Sequence, residues 1–230
     1  VDYSVRRCAC SYDAADATVT LSGTKVVRND TPKQNDKTVA SIAPGGYRFE
    51  LKQGNTVVDT AVSGANGSFT FDALTFDAEG TYTYTVSEVA GNVPGVNYNA
   101  PSWTVTIQVR DNNGTLEASI NNGTYSNTAS ASNSFINTYK AKDVGVNLAA
   151  LKVLEGRTMW ENEFDFTLKA ANNAPMPMGA AGGELTVSNQ ANGAVVFGNI
   201  TYDTVGEYKY TVTEVDNKLP GITYSQTVFT

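Results

Sequence analysis

At 230 residues the chain is long enough for one large or two ordinary domains, each able to bury a core. A net charge of −7 with no histidine excludes a basic nucleic-acid-binding face and removes the commonest catalytic base and metal ligand. Apolar residues make up 41% against 17% charged, no apolar run reaches membrane-spanning length, and β-branched and aromatic residues fall in short runs between Gly, Asn and Thr, which predicts many short strands joined by tight turns.

Residues 1–15 carry no clear pattern and read as a leader or boundary segment. Their two cysteines, Cys8 and Cys10, lie too close to form an unstrained disulfide and are too few for a metal site, so inert thiols are expected. The composition suggests an extracellular protein, and one stabilised by something other than disulfides. From Ala17 the sequence alternates, with Val19, Leu21, Gly23, Lys25 and Val27 on one face. After a polar loop come strands around Tyr47–Leu51 and Thr56–Ala61. Asn66-Gly67 then opens Ser68–Phe71. Tyr82-Thr83-Tyr84-Thr85-Val86-Ser87-Glu88 follows with a period of two, and Pro94-Gly95 breaks it. Trp103–Arg110 and Thr115–Ile120 flank Asp111-Asn112-Asn113-Gly114. That turn lacks the closing Glu of a calcium loop and reads as a hairpin. A polar loop leads to a last strand at Ser134–Tyr139. The Asn-Gly-Ser/Thr triplets are read as hairpin turns, and Trp103 and Trp160 as core or boundary packing.

Much of this recurs. Leu148, Ala150, Lys152 and Leu154 echo Leu21, Gly23, Lys25 and Val27 at an offset of 152 − 25 = 127, and Glu214 echoes Glu88 at 214 − 88 = 126. Phe164–Leu168, Asn192–Phe197, Tyr208–Glu214 and Leu219–Tyr224 also have counterparts. Two similar all-β domains are therefore predicted, 16–142 and 143–230, joined by a short linker at Lys140–Gly145. Thr230 matches Thr104 (230 − 126 = 104), so the second copy is expected to lack its last strands. The chain begins on Val1 and carries neither a signal-peptide core nor a sorting sequence, so a segment of a longer protein is expected.

Three polar residues lie in phase with apolar stripes. Lys25 sits with Leu21 and Val27, Glu88 with Tyr84 and Val86, and Asn137 between Phe135 and Tyr139. If the first and last strands are neighbours, an amine, a carboxyl and an amide meet in one core. A buried ammonium or carboxylate is costly or neutralises. The trio is then either an ion pair with an amide partner, or a reactive site. In the reactive case a neutral amine attacks the amide carbon while a protonated glutamate hydrogen-bonds the amide oxygen and carries protons to the leaving nitrogen.

A lysine in the first strand, Tyr-x-Tyr-x-Val-x-Glu followed by Pro-Gly, and a terminal Phe-x-Asn-x-Tyr together resemble the Gram-positive pilin and surface-adhesin domains with internal Lys–Asn isopeptide bonds. The nearest branch is the streptococcal pilin isopeptide-linkage domain, related to CnaB-type folds. The resemblance covers about Ala17–Lys142 fully and Val146–Thr230 in part. It implies tandem Ig-like β-sandwiches, with Lys25 as nucleophile, Glu88 as catalytic acid/base and Asn137 as electrophile. Lys152 and Glu214 match in the second copy, where no counterpart of Asn137 follows. It further implies a stalk or backbone module at a Gram-positive cell wall, without enzymatic turnover, cofactor, metal, nucleic acid or membrane insertion. Its partners would be neighbouring domains of the same surface protein or pilus; the alternative is an adhesin module recognising a host protein or glycan.

Overall fold

The computed structural model describes residues 11–230; Cys8, Cys10 and most of the leader segment lie outside them. The described residues form sixteen strands and no helix, and the protein is an all-β, Ig-like sandwich protein. The chain divides into two compact units. One holds the described residues up to Asp30 together with Ala40–Tyr139; the other holds Thr31–Val39 and Lys140–Thr230.

In the first unit, β1 (Ala17–Asn29), β4 (Ser68–Thr70), β5 (Leu74–Phe76), β7 (Val96–Asn97) and β10 (Thr128–Tyr139) make one sheet. The other contains β2 (Arg48–Gln53), β3 (Thr56–Val62), β6 (Gly80–Glu88), β8 (Trp103–Asp111) and β9 (Leu116–Ile120) in the order β3-β2-β6-β8-β9. Alternation decides which residues meet. Val19, Leu21, Lys25 and Val27 of β1 are buried, while Thr24 and Val26 between them and Arg28 just after are exposed. They face Phe49, Leu51, Val86, Val105 and Ile107 of the opposite sheet. β1 and β10 run parallel in unbroken register from Thr18↔Thr128 to Asn29↔Tyr139, which sets Lys25 opposite Phe135 and Val27 opposite Asn137.

β10 begins at Thr128, six residues before the expected start at Ser134, because Ala129 and Ala131 supply a small, half-buried stripe too weak to read as a core face. The short strands β5 and β7 lack a full period of alternation and were not expected. Asp111–Gly114 forms the β8–β9 hairpin turn, with the Asp111 carboxylate accepting the Gly114 N–H at 2.9 Å.

The second unit has β11 (Val144–Leu151) paired with β14 (Ala194–Tyr202), and a sheet ordered β13 (Glu184–Ser188), β12 (Asp165–Ala170), β15 (Tyr210–Glu214), β16 (Val228–Phe229). β14 runs unbroken where the first unit has two strands, β4 and β5. β15 starts at Tyr210 rather than Tyr208. Trp103 packs against the first core, as expected. Trp160 does not: it is 69% exposed, with the Arg157 guanidinium 5.3 Å from its ring. Its indole has that cation for company instead of a core.

One cross-strand pair distinguishes the repeats. Gly23 lies opposite Phe69, and a Cβ on Gly23 would stand 2.4 Å from the Phe69 ring. That ring has little room to yield, since it stacks on Phe49 at 3.8 Å and 9°. At the matching place in the second unit, Ala150 lies opposite Val195. The larger residue on one strand goes with the smaller on the other. Gly23→Ala should therefore destabilise the first unit by about 1–3 kcal/mol through overpacking. Adding Phe69→Val should recover more than half of that loss in a double-mutant cycle. Thermal melts in an Asn137→Ala background would measure it; additive losses would refute the pairing.

Candidate functional site

The site of the first unit lies between its two sheets. Lys25 comes from the middle of β1, Asn137 from the adjacent β10, and Glu88 from the end of β6 in the facing sheet. Lys25 is 1% exposed, Asn137 is fully buried, and the Glu88 side chain is 4% exposed. The carboxylate stands between the other two. Lys25 Nζ donates to Glu88 Oε2 at 2.8 Å, and Asn137 Nδ2 donates to Glu88 Oε1 at 2.8 Å. Asn137 Oδ1 is buried without a hydrogen-bond partner. The amide thus presents its nitrogen, not its oxygen, to the carboxyl, the reverse of the sequence-based expectation.

Burial pushes the Lys25 amine below the ordinary lysine value near 10.5, while its bond and charge attraction to Glu88 act the other way. The Tyr47 ring closes one side, its centroid 4.9 Å from Lys25 Nζ. Tyr47 is held through its backbone: its N–H donates to Ser63 Oγ at 3.0 Å, and Ser63 Oγ donates to the Pro44 carbonyl at 2.6 Å.

In the second unit Lys152 and Glu214 also meet, with Lys152 Nζ 2.5 Å from Glu214 Oε1. The approach is at ion-pair distance but outside hydrogen-bonding geometry, so Oε1 has no hydrogen-bond partner. The other oxygen, Oε2, accepts the Ser225 N–H at 3.0 Å. A backbone donor stands where the first unit has an asparagine amide. Phe164 takes the place of Tyr47, 4.5 Å from Lys152 Nζ, and Asn189 takes that of Ser63, accepting the Phe164 N–H at 2.7 Å. The site is more open. Leu148, Ala150 and Leu154 are half-buried where Leu21, Gly23 and Val27 are buried. A groove between Ala150 and Lys152 on one side and Phe166, Val212 and Phe229 on the other runs past Glu214.

Sequence reading missed the aromatic wall and its supports. A signal was present: Ser63 and Asn189 are 189 − 63 = 126 apart, the same offset as the two glutamates, and both are buried polar residues.

The family model for the Spy0128-like isopeptide-containing domain, FctA, matches residues 12–140 and again 148–230. The chain belongs to the FctA family. The first match holds Lys25, Glu88 and Asn137, and the second holds Lys152 and Glu214. Among solved structures, the chain is similar to the major pilin T-13 of Streptococcus pyogenes (17% identity, TM-score 0.30, covering 92% of this chain and 84% of that one). It is also similar to the T3.2 major pilin of the same species (16%, 0.30, 91% and 85%) and to the SpaE basal pilin of Lactobacillus rhamnosus GG (13%, 0.29, 90% and 83%). No curated protein matches. Family membership supports a structural role in a pilus. Among the described residues no helix is long and apolar enough to cross a membrane.

Proposed function

We propose that this chain is a load-bearing module of a Gram-positive surface pilus or adhesin stalk, whose first domain welds its first strand to its last by an autocatalytic Lys25–Asn137 isopeptide bond. The observation that carries this reading is the single carboxylate of Glu88, bonded to the amine through one oxygen and to the amide nitrogen through the other in a dry interior. Lys25 Nζ gives a proton to Glu88 Oε2 and attacks Asn137 Cγ. The Nζ–Cγ bond forms and the Cγ–Nδ2 bond breaks; the carboxyl gives departing Nδ2 the proton it requires and takes up the second Nζ proton in return, so that Glu88 ends as a neutral acid. Ammonia leaves and a neutral amide remains. The fold supplies the rate by holding the reactants together, and the product relieves the core of a buried charged pair. The chemistry occurs once per molecule, so there is no turnover.

The test is intact mass followed by peptide mapping. The expected result is a chain one ammonia lighter than its sequence, with the peptides bearing Lys25 and Asn137 recovered as one branched species. Full mass throughout would overturn the proposal. The pH dependence has a definite sign. The reactive amine and carboxylic acid hold the same single proton as the ion pair, so closure should slow as pH rises through the lowered Lys25 value, where the pair loses the proton that departing Nδ2 requires. The unreacted fold should gain stability over the interval from the lowered value to about 10.5, where the unfolded state binds more protons.

A further inference from the structure

The Asn-Gly turns at 66–67 and 192–193 have counterparts in the two domains and no role in the chemistry above. In the first domain the β3–β4 connection closes with the Gly67 N–H donating to the Gly64 carbonyl at 2.8 Å and the Gly64 N–H donating to the Ser68 carbonyl at 2.9 Å. Asn66 Oδ1 accepts the Ser68 N–H at 3.1 Å. The second domain repeats this bond for bond: Gly193 N–H to the Gln190 carbonyl at 2.8 Å, Gln190 N–H to the Ala194 carbonyl at 2.7 Å, and Ala194 N–H to Asn192 Oδ1 at 3.0 Å.

Each turn then grips the lysine. The Gly67 carbonyl accepts the Lys25 N–H at 2.7 Å, and the Gly193 carbonyl accepts the Lys152 N–H at 2.8 Å. Both glycines have φ of 85°, a left-handed conformation that disfavours a side chain. A Cβ would stand 2.2 Å from the Lys25 carbonyl oxygen in one case and 2.3 Å from that of Lys152 in the other. Only glycine lets the turn come this near the lysine's own peptide groups. The residue just before each turn, Ser63 or Asn189, is the one that holds the aromatic wall over the lysine's amine.

We infer that the segment Ser63–Ser68, with its counterpart Asn189–Ala194, is a positioning device for the cross-linking reaction: it fixes the backbone of the nucleophilic lysine from one end and the aromatic ring over its amine from the other. This rests on the isopeptide reading above. An amine that must approach an amide carbon within about 3–3.5 Å loses roughly 100-fold in rate when misplaced by about 1 Å. A turn pressed against the lysine backbone controls that alignment. Gly67, Asn66 and Ser63 touch no reacting atom; they act through Lys25 and Tyr47.

The experiment follows ammonia loss by intact mass in the 230-residue chain made by cell-free synthesis, with aliquots quenched over time and rates normalised to the protease-resistant, folded fraction. Gly67→Ala should slow closure about 100-fold, so that folded but unreacted chain accumulates. Asn66→Ala and Ser63→Ala, which keep the glycine, should slow it several-fold. Gly54→Ala is the control, since Gly54 also has positive φ, 58°, with nothing within 4 Å of its Cβ position; it should share the backbone strain and close at the wild-type rate. In an Asn137→Ala background, hydrogen exchange should show the Lys25 amide losing protection in Gly67→Ala and keeping it in Gly54→Ala. If Gly67→Ala does not fold, Asn66→Ala and Ser63→Ala decide. Variants that fold and close at the wild-type rate overturn the positioning role alone, whereas a wild-type chain that never loses ammonia overturns the isopeptide reading beneath it.

Discussion

Glu88→Ala is expected to leave the first domain at full mass and to lower its melting temperature on the order of 20 °C. The loop closed by Lys25 and Asn137 contains 137 − 25 − 1 = 111 residues. Cross-linking a loop of that size restricts the unfolded chain by about 4–5 kcal/mol on the chain-entropy account used for disulfides, and each kcal/mol moves the melting point of a domain this large by roughly 4 °C. Glu88→Ala carries a second penalty, because it leaves the Lys25 amine buried without its partner. Asn137→Ala separates the two effects. It removes the electrophile, keeps the lysine–glutamate pair, and should show the loss of the bond with less of the added cost. Calorimetry beside intact mass would measure both. A Glu88→Ala chain that is still one ammonia lighter than its sequence would remove Glu88 from the reaction.

The second large effect concerns Lys152. Among the described residues β11 pairs with β14 alone, whereas β1 has β4 and β5 on one side and β10 on the other. The groove lies beside Lys152 and Glu214. The first domain indicates what fits there: a strand parallel to β11, with a phenylalanine opposite Lys152 and an asparagine opposite Leu154, by analogy with Lys25↔Phe135 and Val27↔Asn137. A synthetic peptide of the sequence Ser134–Lys140 is expected to bind the 230-residue chain and to couple to Lys152 in near-stoichiometric yield, adding its own mass less one ammonia. Glu214→Gln should bind the peptide without coupling, and Lys152→Arg should not couple. Absence of both binding and adduct would refute the assignment of Lys152 and Glu214 as a reactive pair.

What the sequence disclosed follows from how strongly each residue is constrained. Alternation in β1 and β6 was plain because bulky side chains alternate with Thr and Ser, and a polar residue in phase with such a stripe stands out. That is why the inward placing of Lys25, Glu88 and Asn137 is legible in the sequence. The polar half of β10 was hidden because Ala129 and Ala131 bury little and resemble loop residues. The orientation of the Asn137 amide depends on what the facing sheet offers, which no local pattern encodes. The role of Tyr47 was not legible, since nothing in its own segment reveals that its ring lies over an amine delivered from the other sheet. Trp160 misled for the opposite reason: its size suggests burial, yet Glu163 accepts its backbone N–H at 2.9 Å and Asn189 donates to its carbonyl at 2.8 Å. The turn is fixed by those bonds and leaves the indole outside.

The exchanged sizes of Gly23 with Phe69 and Ala150 with Val195 bear on how a chain with two near-copies of the same strand folds correctly. Tandem repeats are prone to swapping equivalent segments during synthesis, and a swap followed by an irreversible weld would be permanent. A β11 segment placed in the first core would drive the Ala150 methyl into an aromatic ring, and a β1 segment in the second would leave a void against Val195. Mismatched partners would therefore meet a steric penalty before the chemistry could make the error last.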